Sequence, residues 1–383
     1  MLNQRFKLDT EIIFGLDCIL QLPKEGKKFG EKVLLVTGKN SLKANGILDH
    51  TLTILQDEGI HVSVYAEVEP EPSLNIVKKG LDLARSDSVN WVIGIGGGSA
   101  MDVAKAIAGL FNLPGSVEEY FAGAVIDQAG LPLVTVPTTS GSGAEVTVNA
   151  VLSDPGTMTK QSIRSPLLAA KLTILDPRLT FSNTPQTTAY SGFDALVQAI
   201  EAYTSTGANP FTDIYAYTAI EKIGANLLTA YRDGQNEIAR TEMAVGSLMA
   251  GVALTNARLG AVHGMAHSIG IRTGNPHGLV CAVLLVPVMR FNMAVSYPKY
   301  AMLAKALGHN TAGMDPIDAA AQGIKTIMSI QKKLGIPIPI RSLGITEADF
   351  PIIAEESLPS GSLKANPREV KYENIINILK ENY

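Results

Sequence analysis

Short apolar runs rich in β-branched residues alternate with stretches of helical period through the first half of the chain. Lys32 to Thr37, Val62 to Glu67, Val89 to Ile95 and Leu133 to Val136 read as strands. Such alternation predicts a mostly parallel sheet layered with helices. From about Thr187 the pattern changes to long helical segments of Ala, Leu, Ile and Met, among them Ile238 to Asn256 and Pro316 to Lys333. The expectation is an α/β domain over residues 1–182 and an all-helical domain over residues 183–383. Pro and Asn in the stretch Asp176 to Pro185 break both periodicities and mark the boundary. A cleft between two such domains is the expected place for chemistry.

Composition narrows the partners. A chain of 383 residues, 46% hydrophobic, suffices for two cores of ordinary size. No uninterrupted apolar run reaches the roughly 18 residues a membrane helix needs, and the opening stretch lacks the apolar segment of a signal peptide. The expected setting is cytoplasmic, with no membrane partner. The formal charge of −4 is mild and no basic block is interleaved with aromatics, so nucleic acid is not an expected partner. Cys18 and Cys281 are far apart in sequence and read as two buried or incidental thiols.

Chemistry enters at the glycines. Trp91 to Ser99 runs from an apolar strand into Gly96-Gly97-Gly98-Ser99, and Ala100 to Ile107 then reads as a helix. Glycines let backbone N–H groups approach a phosphate, and Ser99 is placed to cap the helix whose dipole favours an anion. A standard dinucleotide fingerprint follows the first strand, whereas these glycines follow a later one, so the expected fold is a Rossmann-like variant. Pro137-Thr138-Thr139-Ser140-Gly141-Ser142-Gly143-Ala144-Glu145 follows the strand Leu133 to Val136 and offers hydroxyls at a second strand end. Both runs are expected to face one ligand.

Six histidines occur, and His263, His267 and His277 fall within 15 residues. His263 and His267 are four apart and share a helical face, while His277 returns after a turn marked by Gly274, Asn275 and Pro276. Converging imidazoles suit a divalent transition metal. Asp194 lies in an apolar helical pattern, where an unpaired buried acid is costly, and is the natural carboxylate partner.

Together the runs Gly96 to Ser99 with Asp102, Pro137 to Glu145, Gly192-Phe193-Asp194-Ala195-Leu196 and the histidine segment through Pro276-His277-Gly278 resemble the iron-containing, or group III, alcohol dehydrogenases over essentially the whole chain. The resemblance implies the dehydroquinate synthase-like architecture, a homodimer, NAD(P) as cofactor and one Fe2+, with Zn2+ as the alternative. It implies that Gly97, Gly98, Ser99 and Asp102 hold the pyrophosphate. Gly38, Thr138, Thr139 and Ser142 would line the cofactor, and Lys160 would reach its ribose. Asp194, His263 and His277 would bind the metal, with His267 near the nicotinamide as a proton relay. The reaction implied is hydride transfer between NAD(P)(H) and a small primary alcohol or aldehyde.

Three departures from the family pattern matter. Gln198 stands where the metal-binding helix of relatives carries a histidine, and its amide oxygen is a weaker ligand. This leaves three readings: Asp194, His263 and His277 with Gln198 or water, recruitment of His267, or a metal-free, catalytically impaired cofactor-binding homologue. After the strand at Lys32, Gly38 is followed by Lys39, Asn40, Ser41 and Lys43 rather than by an acid that would repel a 2′-phosphate, which slightly favours NADP. Arg258, on the expected substrate side, reads as solvent-facing or paired rather than as an anion site. A lyase of the dehydroquinate synthase type is the same-fold rival, but it would need a more basic pocket.

Overall fold

The computed structural model describes residues 5–157 and 159–383; residues 1–4, part of the opening stretch read for a leader, lie outside the described residues. The strands are β1 (Glu11–Phe14), β2 (Lys32–Gly38), β3 (His61–Val68), β4 (Trp91–Gly96), β5 (Leu133–Pro137), β6 (Asn149–Asp154), β7 (Thr159–Arg164) and β8 (Leu172–Leu175). Helices of two turns or more are α1 (Ile47–Asp57), α2 (Leu74–Ser86), α3 (Gly98–Leu110), α4 (Pro185–Thr204), α5 (Pro210–Arg232), α6 (Glu237–Ala257), α7 (Ala261–Thr273), α8 (His277–Ala306), α9 (Pro316–Lys333), α10 (Phe350–Ser357) and α11 (Tyr372–Glu381). Two compact units result.

One unit, Leu8–Thr139 with Ala144–Ser182, is an α/β layer. Its sheet runs β1-β8-β5-β4-β2-β3, and every pairing is parallel. β2 pairs with β3 on one side and β4 on the other, so the strand order reverses between β2 and β4. In such sheets ligands collect outside the carboxyl ends of strands at this switch point. β4 is buried along its whole length, as a central parallel strand covered on both faces must be. Helix α3 presses on it so closely that a Cβ at Gly94 would lie 2.7 Å from that of Ala104. β6 and β7 form a separate antiparallel hairpin.

The other unit joins residues 5–7, Ser140–Gly143 and Asn183–Tyr383. Apart from the short segments it is helical, around a core drawn from α4 to α11. Helix α8 is long and apolar enough to cross a membrane, yet most of its apolar stretch is buried in this core. The sequence reading missed that property because Arg290 and Asn292 interrupt the apolar run while the average stays high.

Candidate metal centre and nucleotide site

The glycine turn lies at the switch point. Gly96 takes φ 146°, a conformation glycine favours, and α3 starts at Gly98 with Gly97 at its N-cap. No side chain caps the helix, so the cap expected of Ser99 does not form; Ser99 is already inside the first turn. Ala100 N–H donates to Gly97 O at 3.1 Å, and the N–H groups of Gly98 and Ser99 precede the first bond of the helix, which suits a phosphate. The second loop meets the first directly. Thr138 N–H donates to Gly96 O at 2.9 Å, and a Cβ on Gly97 would sit 3.5 Å from Thr139 Oγ1. Gly38 ends β2 on the other side of the switch.

Under the turn lies a polar group that the sequence reading missed. Lys105 is fully buried, 3.0 Å from Asp102 Oδ1, and donates to Thr147 Oγ1 at 2.8 Å and Asn149 O at 2.5 Å. Burial pushes the Asp102 carboxyl above its ordinary range against the pull of Lys105. Lys160, on β7, pairs with Glu71. Lys39 pairs with Glu69 at the end of β3, so an acid does stand near the β2 terminus. Ser142 belongs to the helical unit, where Gly141 and Gly143 beside it let the loop approach the backbones of Ser191 and Gly251.

The second centre lies wholly in the helical unit. Helix α4 begins at Pro185 with Thr184 accepting from Thr187 N–H, and carries Asp194, Gln198 and Glu201 at steps of four and three along one face. Helix α7 carries His263 and His267, then stops at Gly274, which takes the left-handed conformation (φ 66°). The chain restarts as α8 with His277 at its first turn. Gly278 lets α8 close on α4, because a Cβ there would lie 2.2 Å from Tyr190 O.

These helices converge three of the expected ligands. His263 Nε2 lies 3.4 Å from Asp194 Oδ1, and His277 Nε2 lies 3.9 Å from the same oxygen. Cys281, one turn after His277, brings Sγ to 3.5 Å from His277 Nε2. The four donor atoms lie within 4.8 Å of one another. Asp194 Oδ1 and His263 Nε2 are buried without a hydrogen-bond partner, a costly arrangement that a cation would relieve. The other edges are tied down. Gln198 donates to Asp194 Oδ2 at 3.0 Å, and His263 Nδ1 lies 2.6 Å from Glu201 Oε2, which fixes the ring with Nε2 toward the cluster. Burial works against an imidazolium at His263, but Cys281, Asp194 and Glu201 around it hold its pKa well above the ordinary value. The surroundings therefore favour positive charge, and the donor set fits a divalent transition metal.

Of the remaining expected residues, His267 is half-buried outside the four, its ring 5.6 Å from that of His277. Gln198 commits its N–H to Asp194, while its amide oxygen is buried without a partner. Arg258 is exposed, ending α6 with φ 69°. Glu201 and Cys281 were the residues overlooked. Their signals were local: Glu201 follows Asp194 by two helical turns, and Cys281 follows His277 by one.

Comparison with known proteins shows the family. The family description "Iron-containing alcohol dehydrogenase" matches residues 9–177, and "Fe-containing alcohol dehydrogenase family, C-terminal" matches residues 188–383. A 1,3-propanediol dehydrogenase of Citrobacter freundii is 40% identical over 354 residues, covering 92% of this chain and 91% of that one. A choline dehydrogenase of Bacillus subtilis is 34% identical over 369 residues, covering 95% and 91%. The crystal structure of a 1,3-propanediol oxidoreductase superposes over 100% of both chains with a TM-score of 0.96 at 36% identity. The chain therefore belongs to the iron-containing alcohol dehydrogenase family and is an oxidoreductase with the family's Asp194, His263 and His277 metal site and its NAD(P) chemistry.

Proposed function

We propose that the protein interconverts a short primary alcohol or diol and its aldehyde by hydride transfer to and from a nicotinamide dinucleotide, with NADP(H) slightly favoured. The observation that carries this is the convergence of Asp194, His263 and His277, with Asp194 Oδ1 and His263 Nε2 buried without a hydrogen-bond partner, in a chain of this family. The substrate class follows from similarity to 1,3-propanediol dehydrogenase.

Gly97, Gly98 and Ser99 at the start of α3 would hold the pyrophosphate, with Asp102, anchored by Lys105, shaping the turn from below. Gly38 would leave room at the end of β2, Thr138, Thr139 and Ser142 would line the cofactor, and Lys160 would reach its ribose. Lys43 is exposed and available to a 2′-phosphate, whereas Lys39 is held by Glu69. Asp194, His263 and His277 would hold a divalent metal, Fe2+ or Zn2+, and Gln198 would orient Asp194. A bound cation supplies Lewis acidity to the reacting oxygen. His267, half-buried beside His277, would exchange the alcohol proton with solvent. The proposed assembly is a homodimer, readable as mass in solution.

The test is oxidation of NADPH and NADH by a series of short aldehydes, on protein stripped of metal and reloaded without oxygen. Expected is aldehyde-dependent turnover that chelator abolishes, faster with NADPH. Tight nucleotide binding with no turnover under any metal loading would sink the proposal in favour of a non-catalytic binding protein.

A further inference from the structure

We propose that Cys281 is the fourth ligand of the metal centre, giving a set of one carboxylate oxygen, two imidazole nitrogens and one thiolate that selects Zn2+. The proposal rests on the metal-centre reading above and names a donor which that reading does not use.

The distances carry it. A tetrahedral ion with bonds of about 2.0–2.3 Å separates its ligand atoms by about 3.3–3.8 Å. The cluster shows 3.4 Å between His263 Nε2 and Asp194 Oδ1, 3.5 Å between Cys281 Sγ and His277 Nε2, and 3.9 Å between His277 Nε2 and Asp194 Oδ1. The sulfur therefore stands at ligand spacing from His277 Nε2 and within 4.8 Å of the other two donor atoms. Helix geometry puts it there: His277 and Cys281 are one turn apart on α8 and reach the cluster as a pair.

Gln198 supports the assignment from the other side. Its N–H group is given to Asp194 Oδ2, so its part is to steer the carboxylate. A chain with only an amide at that position keeps three strong ligands, and the thiolate of Cys281 restores a fourth. Cys281 is fully buried with its sulfur among Asp194, His263 and His277, a setting inert toward oxidants but suited to a cation. Charge closes as well. On binding, the Cys281 S–H bond breaks, its proton leaves to solvent, the S–metal bond forms and no electron is transferred. The two negative ligands then neutralise the dication. Thiolate favours Zn2+ over hard, oxygen-seeking ions such as Mg2+ and Mn2+, and this centre departs from an all-oxygen-and-nitrogen set in that direction.

The experiment titrates Co2+ into metal-free protein under anaerobic conditions and reads absorbance from the near ultraviolet to the red. Expected is one equivalent bound with an intense thiolate-to-cobalt charge-transfer band, absent in Cys281→Ser and retained in Cys18→Ser. Cys281→Ser should also weaken Zn2+ binding at least about 100-fold in chelator competition, since even outer-shell partners are worth 10–100-fold. One equivalent of Co2+ with no such band, or a band that survives Cys281→Ser, overturns the proposal and leaves the metal centre standing. Failure to bind Co2+ or Zn2+ at all overturns both. Should Cys281→Ser not fold, zinc-edge X-ray absorption of the unaltered protein decides: one sulfur at about 2.3 Å supports the ligand, and nitrogen and oxygen alone at about 2.0–2.2 Å exclude it.

Discussion

Glu145 shows how far a single residue can depart from its behaviour in water. It is buried, and burial raises its carboxyl to about 7, with Lys105 only partly opposing. The folded form therefore holds its proton more tightly than the unfolded chain, which ionises near the ordinary value of 4.5. Between those limits the unfolded state alone gives up the proton, so stability is full below about 4.5 and falls as pH rises toward 7. The loss is on the order of 3 kcal/mol. Glu145→Gln should flatten that segment of a plot of urea midpoint against pH; an unchanged slope would assign the fall to another group. Residues of this kind were only partly legible in the sequence. His263 and His277 stood out because three histidines crowd one short segment, and Asp194 because an acid interrupts an apolar pattern. Glu201 interrupts the same pattern without drawing notice, and Cys281 reads there only as a buried or incidental thiol. Glu201 acts on His263, remote in sequence, which spacing rules tied to one motif do not reveal, whereas Cys281 stands one turn from His277.

At the scale of elements, the periodicities located most of the framework. Expected strands at Lys32, Val62, Val89 and Leu133 appear as β2 to β5 with ends moved by at most a few residues, and the helix from Pro316 to Lys333 has its expected bounds. β1 and β8 were not foreseen. Each has four residues, and β8, buried along its whole length, carries no inside-outside alternation to distinguish strand from helix. The hairpin β6–β7 escaped for a related reason: β7 carries a single apolar residue, Ile163. No periodicity reports which helices touch, and there Gly278 decides. A Cβ would meet the carbonyl of Tyr190 on α4 and approach Asp194 Cβ to 3.3 Å, and backbone cannot swing aside as a side chain can. Gly278→Ala should cost about 1–3 kcal/mol through overpacking and loosen metal binding by prising His277 from Asp194. Thermal melting and zinc competition measured on one preparation check both effects; a lowered melting point with unaltered affinity would show that the helices relax without moving the ligands.

Across the whole molecule, all four donors and Glu201 come from the unit containing Asn183–Tyr383. Metal should therefore brace that unit. A ligand that binds only the folded state at a hundredfold excess over its Kd adds about 3 kcal/mol, or roughly 6–12 °C for a unit of about 200 residues. Scanning calorimetry with and without chelator should show that shift, and equal melting points would mean the ion is not held. Helix α8 adds a demand of a different kind, on biosynthesis. The segment that bears His277 and Cys281 is apolar enough to enter a lipid bilayer. Helix α4, which covers part of it, has already emerged from the ribosome by then, but α9 has not. Translation of the residues up to Lys333 takes on the order of seconds. For that interval a greasy surface is open to aggregation, misdirected insertion or capture by a chaperone, so expression yield will depend on helper proteins well before any metal arrives.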